Sequence, residues 1–323
     1  MRHLAVVALA LAACDPVAWT TPVSGESRML LSVWGDGARD VFVSGGSLGG
    51  TPPAVVDHFD GDRWTDLAPP TQSTLWWVFG LSASDLWVVG EQGTALHWDG
   101  HAFTSFPTGT QATLFGVWGA AHDDLWAVGG VPDASSVAIH FDGVRWSPAT
   151  LPPLGGSFFK VWGTSARDVF VVGQLATILH YDGSAWTPMT SGLTKSTALL
   201  TIAGRAPNDV YAVGGQGIAV ALHFDGSAWA PVANLDVSGA SGLTGVSVTA
   251  AGDVSITGLE GAKFRTANGK WVDDSLISTQ ADLHGTWLAG PEDIFAVGGN
   301  LNAATGLSHQ GVVAHYGHTI ASK

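Results

Sequence analysis

The chain has 323 residues, a formal net charge of -14, 46% hydrophobic and 12% charged residues, and 43 glycines. So much apolar surface with so few charges excludes a disordered chain, and the acidic excess argues against nucleic acid and anionic membrane surfaces, which need clustered Lys and Arg. A single cysteine excludes an intrachain disulfide, so packing alone must hold the fold.

The first segment reads MRHLAVVALALAAC. Arg2 and His3 make a basic start, and Leu4 to Ala13 form an apolar run of ten residues. A bilayer-spanning helix needs about 20 such residues, so the run fits the core of a signal peptide. Leu11-Ala12-Ala13-Cys14 resembles the bacterial lipobox. That resemblance implies a signal peptide over residues 1–13, cleavage before Cys14, and a lipid on its thiol. The mature chain, residues 14–323, would then be exported and held on the periplasmic or outer side of a bacterial membrane by that anchor alone. Asp15, the residue after the cysteine, resembles the inner-membrane retention signal of enteric bacteria.

From there a unit of about forty residues recurs seven times, anchored by Asp40, Asp85, Asp124, Asp168, Asp209, Asp253 and Asp293 at intervals of 45, 39, 44, 41, 44 and 40. Each unit reads roughly W-G-x-x-x-x-D-(L/V)-(W/F)-x-V-G, a variable stretch, then H-(F/Y/W)-D-G-x-x-W. A period near forty built from short β-branched and aromatic runs bounded by Gly, Asp and Pro predicts a β-propeller with one blade per unit. The predicted fold is therefore all-β: a single seven-bladed propeller of four-stranded blades over residues 14–323.

The first strand is expected to end at Trp34, Phe79, Trp118, Trp162, Ala203, Ser247 and Trp287, six residues before each Asp. The second ends five residues after the Asp at Gly45, Gly90, Gly129, Gly173, Gly214, Gly258 and Gly298, where a positive φ or a close backbone approach is expected. The third runs to His58, His97, His140, His180, His223 and His315, and the fourth carries Trp64, Phe103, Trp146, Trp186, Trp229 and Trp271. The seventh unit reaches His315-Tyr316-Gly317 without its Trp. Trp19-Thr20-Thr21-Pro22-Val23-Ser24-Gly25 mirrors Trp186-Thr187-Pro188-Met189-Thr190-Ser191-Gly192, so an N-terminal strand is expected to complete the last blade and remove its open edge.

Spacing separates two faces. His to Trp is six residues wherever both occur, whereas Gly to His runs 13, 7, 11, 7, 9 and 17 in the six units that have the His. Variable connections on a rigid scaffold are where binding usually resides. The longest span Gly46 to Val56, Gly130 to Val137 and Gly299 to Val313. They offer Asp133, Asn300, Asn302, His309 and Gln310; Glu91 begins a shorter one. Trp76, Trp77, Lys160 and His284 break the pattern of their slots and are expected just before strand one on the same side.

The repeated His residues recur once per blade, too far apart for a shared metal, so hydrogen bonding to a turn is the expected role. His309, His315 and His318 are closer to ligand spacing but lack a carboxylate or Cys set, and neither metal nor cofactor is expected. D-G-x-x-W resembles the Asp-box of bacterial sialidases and related propellers, one residue tighter, and in that family the Asp holds the hairpin. The resemblance does not extend to sialidase chemistry: Tyr181, Tyr211 and Tyr316 occupy repeat slots, and no arginine triad accompanies them. V-G-x-x-G-T-x-L-H, as at Val89 to His97, resembles the repeats of photosystem-assembly-type propellers, and similar repeats fill many lipid-anchored or secreted bacterial proteins. Resemblance of scaffold does not carry function. The expected role is a monomeric, non-enzymatic binding or scaffold module for a protein or glycan. The alternative is a secreted glycan-active hydrolase using unpaired acids among Glu91, Asp133 and Glu292.

Overall fold

A computed structural model describes residues 15–48, 51–301 and 309–323. The expected signal peptide over 1–13, Cys14 and Asn302 lie outside the described residues. The described residues form seven four-stranded antiparallel sheets, as the repeat predicts. The inner strands are Met29–Gly37, Leu75–Ser82, Thr113–Ala121, Phe158–Ser165, Leu199–Ala206, Leu243–Val248 and Leu283–Gly290. Each packs on the inner strands of both neighbours, and the first meets the last, so the ring is closed.

Six of the inner strands run three residues beyond the Trp slot where they were expected to stop. The reason lies in the W-G pair. An added Cβ at Gly35 would lie 2.7 Å from Trp287, at Gly80 2.6 Å from Trp34, at Gly163 2.9 Å from Trp118, and at Gly204 2.8 Å from Trp162. Each Trp thus lies flat on the Gly of the following blade, and the strand continues past that contact into its hairpin. Trp is mortar between blades, where its large apolar area contributes most.

The invariant Gly at the end of each second strand answers to close approach. None of the seven is among the positive-φ glycines. A Cβ on any of them would collide with a carbonyl oxygen at the start of its own inner strand: Met29, Thr74, Thr113, Ser157, Ala198, Gly242 and Asp282 in turn. Opposite each Gly the inner strand slips register by one residue, a β-bulge at Leu31, Trp76, Phe115, Phe159, Leu200, Thr244 and His284.

The N-terminal strand Ala18–Glu26 pairs antiparallel with Gly311–Gly317 and completes the last blade. Trp19 opposes Tyr316 and Thr20 opposes His315 as Trp186 opposes Tyr181 and Thr187 opposes His180, after which the N-terminal strand slips register. Blade six supplies the seam. Arg265 stands there in the slot that His fills elsewhere, opposite the second strand. It binds Asp274 at 2.6 Å and lies 4.1 Å from the Tyr316 ring, while the Trp19 indole N–H donates to the same Asp274 at 2.8 Å.

Two outcomes follow for stability. Gly173→Ala is expected to lower stability by about 1–3 kcal/mol through overpacking, whereas Gly37→Ala, with nothing within 4 Å of an added Cβ, is expected to be near neutral; thermal melts of the two variants compare them directly. Deleting residues 15–25 removes the outer strand of the last blade and is expected to lower the melting temperature of the whole ring. An unchanged melt would remove the strand's role as a clasp.

Candidate functional site

The two faces use their polar residues differently. On the face of the 1–2 and 3–4 turns, His Nε2 meets Asp Oδ1 in six blades: His58–Asp40 at 2.7 Å, His97–Asp85 at 2.8 Å, His140–Asp124 at 2.6 Å, His180–Asp168 at 2.7 Å, His223–Asp209 at 2.7 Å and His315–Asp293 at 2.8 Å. Each imidazole also packs on the aromatic ring two residues after its Asp, as in Phe42–His58 at 4.2 Å and Trp87–His97 at 5.0 Å. The D-G aspartates accept backbone N–H bonds from two and three residues on, as Asp60 does from Asp62 and Arg63 at 2.9 Å. Such bonds, joined by the Ser184 and Ser227 hydroxyls, hold Asp182 and Asp225 at about 2, well below the usual carboxylate value. These groups are engaged in holding turns.

The opposite face carries the expected site residues, and it divides them. Glu91 accepts the Thr74 N–H at 3.1 Å and closes the start of its blade's inner strand. Asp133 accepts from the Gln174 side-chain amide at 2.7 Å, tying the loop of blade three to blade four. Asn300 and His309 bind each other across the long loop of blade seven, with His309 Nδ1 2.7 Å from the Asn300 carbonyl. Glu292 sits in the turn before Asp293, on the other face. The three acids offered for a hydrolase are therefore held at separate places. His318 lies 2.7 Å from the Asp15 carbonyl, so the three C-terminal His residues have separate partners. No cluster among the described residues is arranged to hold a metal.

Trp76, Trp77, Lys160 and His284 are a different case. They lie within the inner strands, not before them: Trp76 and His284 are bulge residues, and Trp77 and Lys160 follow bulges. Inner strands begin on the variable face, so the bulges place these side chains at the mouth of the central channel. The Trp76 ring packs edge-on against Phe115 at 5.1 Å, and Phe115 against Phe159 at 5.5 Å, an aromatic arc across blades two to four. Phe115 and Phe159 were not anticipated, because a bulge position has no distinct signature within a continuous apolar run.

Lys160 passes beyond blade three, where Gly116 leaves room: a Cβ there would lie 3.0 Å from the Lys160 Cα. The amine donates to the Phe115 carbonyl at 2.7 Å and sits 4.3 Å from the centre of the Trp77 ring, a cation–π contact between blades four and two. Lys160 is only 9% exposed, and burial lowers its amine to about 7. His284 Nε2 lies 2.7 Å from the Gly299 carbonyl; burial lowers its pKa, and the nearby Lys160 adds to the lowering. A second feature, a groove of about 740 Å³ at the rim of blades five and six, carries Trp271 with Asp236, Glu260 and Asp273 and none of the expected residues.

No family model matches the chain, and no curated protein matches it. Among solved structures it is similar to YCF48 bound to a D1 peptide, with a TM-score of 0.67 and 14% identity over 95% of this chain and 99% of that one. It is likewise similar to a streptogramin B lyase, with a TM-score of 0.70 and 10% identity over 94% and 98% of the two chains. The WD40 propeller domain of Doa1 gives a TM-score of 0.69 and 13% identity over 93% and 97%. One of these is named for a bound peptide and another for a reaction, so at these identities the likeness is one of fold: the chain is a β-propeller.

The lowered Lys160 pKa has a stability consequence. Between about 7 and 10.5 the folded chain binds fewer protons at this amine than the unfolded chain, so stability rises with pH across that window, and the full penalty applies below it. Relative to Lys160→Met, the wild type is expected to gain stability as pH rises through that window, by at most about 5 kcal/mol at about 1.4 kcal/mol per pKa unit. Denaturant unfolding of both proteins at several pH values measures the difference. Parallel profiles would show a solvated amine.

Proposed function

We propose that this chain is an exported propeller, lipid-anchored through Cys14, that binds a protein or glycan partner on the face of its variable connections and performs no chemistry of its own. One observation carries the reading: the division of labour between the faces. The repeated His and Asp side chains of the turn face are engaged in holding their own blades. The variable face instead gathers side chains that no repeat requires: an aromatic arc, Trp77 and a buried amine around the channel mouth. Rigid scaffolds that present irregular side chains from one face are built for recognition. The apolar run ending in Cys14 supports the export and anchoring part of the proposal.

Soluble Cys14→Ala protein is the bait for the test, beside versions with Gly299 to Val313 shortened, with Trp77→Ala, and with His180→Ala on the turn face. The variable-face versions are expected to lose a partner that the His180→Ala version, if folded by thermal melt, retains. Equal recovery by all of them would count against the chosen face. Lipidation is checked separately: wild-type protein expressed in a bacterium is expected in the detergent phase with an acylated N-terminal cysteine, and the Cys14→Ala protein in the aqueous phase.

A further inference from the structure

The channel mouth is short of negative charge. Lys160 has three N–H donors as an ammonium, and its hydrogen bond goes to a neutral acceptor, the Phe115 carbonyl. Among the described residues it is in no ion pair, and the charged groups acting on its neighbour His284 are Asp282 and Lys160 itself. The acids of the same face are engaged elsewhere: Glu91 with the Thr74 N–H, Asp133 with Gln174, and Asp282 with the Glu260 N–H at 2.9 Å. An ammonium out of water with only a carbonyl and an aromatic face is poorly compensated, and a bound anion supplies what is missing. The wall beside it is aromatic and partly exposed, formed by Trp76 and Trp77 with the Phe115–Phe159 pair behind.

We propose that the channel mouth receives the carboxylate of an acidic sugar residue, a uronic acid of a polysaccharide, with Lys160 as its counter-ion and Trp76 and Trp77 as its walls. A pyranose ring offers flat C–H faces that lie on the partly exposed indoles of Trp76 and Trp77. A peptide C-terminus would bring amide donors that the Lys160–Trp77–His284 cluster does not answer with a free carboxylate. This inference rests on the variable face being the binding face and names the glycan branch of that reading.

The probes are oligogalacturonate, the matching neutral galactose oligomer, and a short peptide with a free carboxylate. Binding is read by tryptophan fluorescence and calorimetry on Cys14→Ala protein. Oligogalacturonate is expected to bind at least about tenfold more tightly than the neutral oligomer, a margin typical of one desolvated charge pair. Its affinity is expected to fall as pH rises through 7, where Lys160 loses its proton. Lys160→Met, which retains His284 and Asp282, is expected to fold and to lose both the preference and that pH dependence. In protein with ¹³C-dimethylated lysines, the Lys160 resonance is expected to titrate at higher pH once oligogalacturonate is bound. Equal affinity for charged and neutral sugars, or a preference that survives Lys160→Met, would overturn the proposal. So would preference for the peptide. If none of the probes binds while loop-dependent capture of a partner persists, the sugar proposal fails and the variable face stands; if that capture is also absent, the face itself was wrongly chosen.

Discussion

The close approach of one glycine to one carbonyl, made seven times, is the constraint on which the rest of this structure depends. Where each second strand ends, its Gly lies against a carbonyl at the start of the inner strand, with no room for a Cβ. The inner strand yields by one residue, and the resulting bulge twists it and re-aims a side chain. Without that slip the inner strands would present alternating residues in unbroken register. With it, one residue per blade is set out of register at the start of the inner strand: Leu31, Trp76, Phe115, Phe159, Leu200, Thr244 and His284. The same device that shapes the blade thus decides which side chains the channel mouth displays.

A second consequence of repetition is that polar groups can be spent on structure without making the molecule reactive. A lone half-buried His–Asp pair would read as catalytic machinery in most folds. Here six such pairs are each closed within one blade and covered by an aromatic ring, so each imidazole is oriented and occupied. A bond of this kind contributes about 0.5–1.5 kcal/mol, which matters as a set distributed evenly around the ring. Blade six, which has no such His, shows what the arrangement leaves free. Its Arg265 reaches out to Asp274 and Tyr316, and the seam between the chain's two ends is fastened by that departure.

The architecture was legible because a repeat makes seven independent statements of the same local rule. Agreement among them located the strands, the permuted closure at Trp19 and the structural role of the His slots. Strand ends were less legible: the Gly after the Trp looks like a stop, whereas it is a seat for the neighbouring blade's indole, and the strand runs on. The site was legible only as exceptions. Trp76, Trp77, Lys160 and His284 stood out because they break their slots, yet nothing in the spacing said that they share a place, since the contact of Lys160 with Trp77 spans blades that are not neighbours in sequence. Asp133, Glu91, Asn300 and His309 stood out as polar residues of the variable connections, and the structure returns each of them to a local hydrogen bond.

An exception to the repeat therefore has two physical outcomes, and the difference between them is whether the protein itself satisfies it. Asp133, exposed to solvent, accepts from Gln174, and the charge of Arg265 is closed by Asp274 within the fold. Lys160 is not closed in that way. Its long side chain is threaded over Gly116 into an apolar setting, where burial works against its charge and no ion pair among the described residues offsets it. A Met of nearly the same length would fill most of that space without that penalty, so packing alone gives no reason for an amine. Lys263 is buried in a like setting with Trp19 and the Gly261 carbonyl, but Asp274 and Asp273 act on its charge, whereas no acid acts in this way on Lys160. Compensation from outside the fold is what the proposed ligand at the channel mouth would supply.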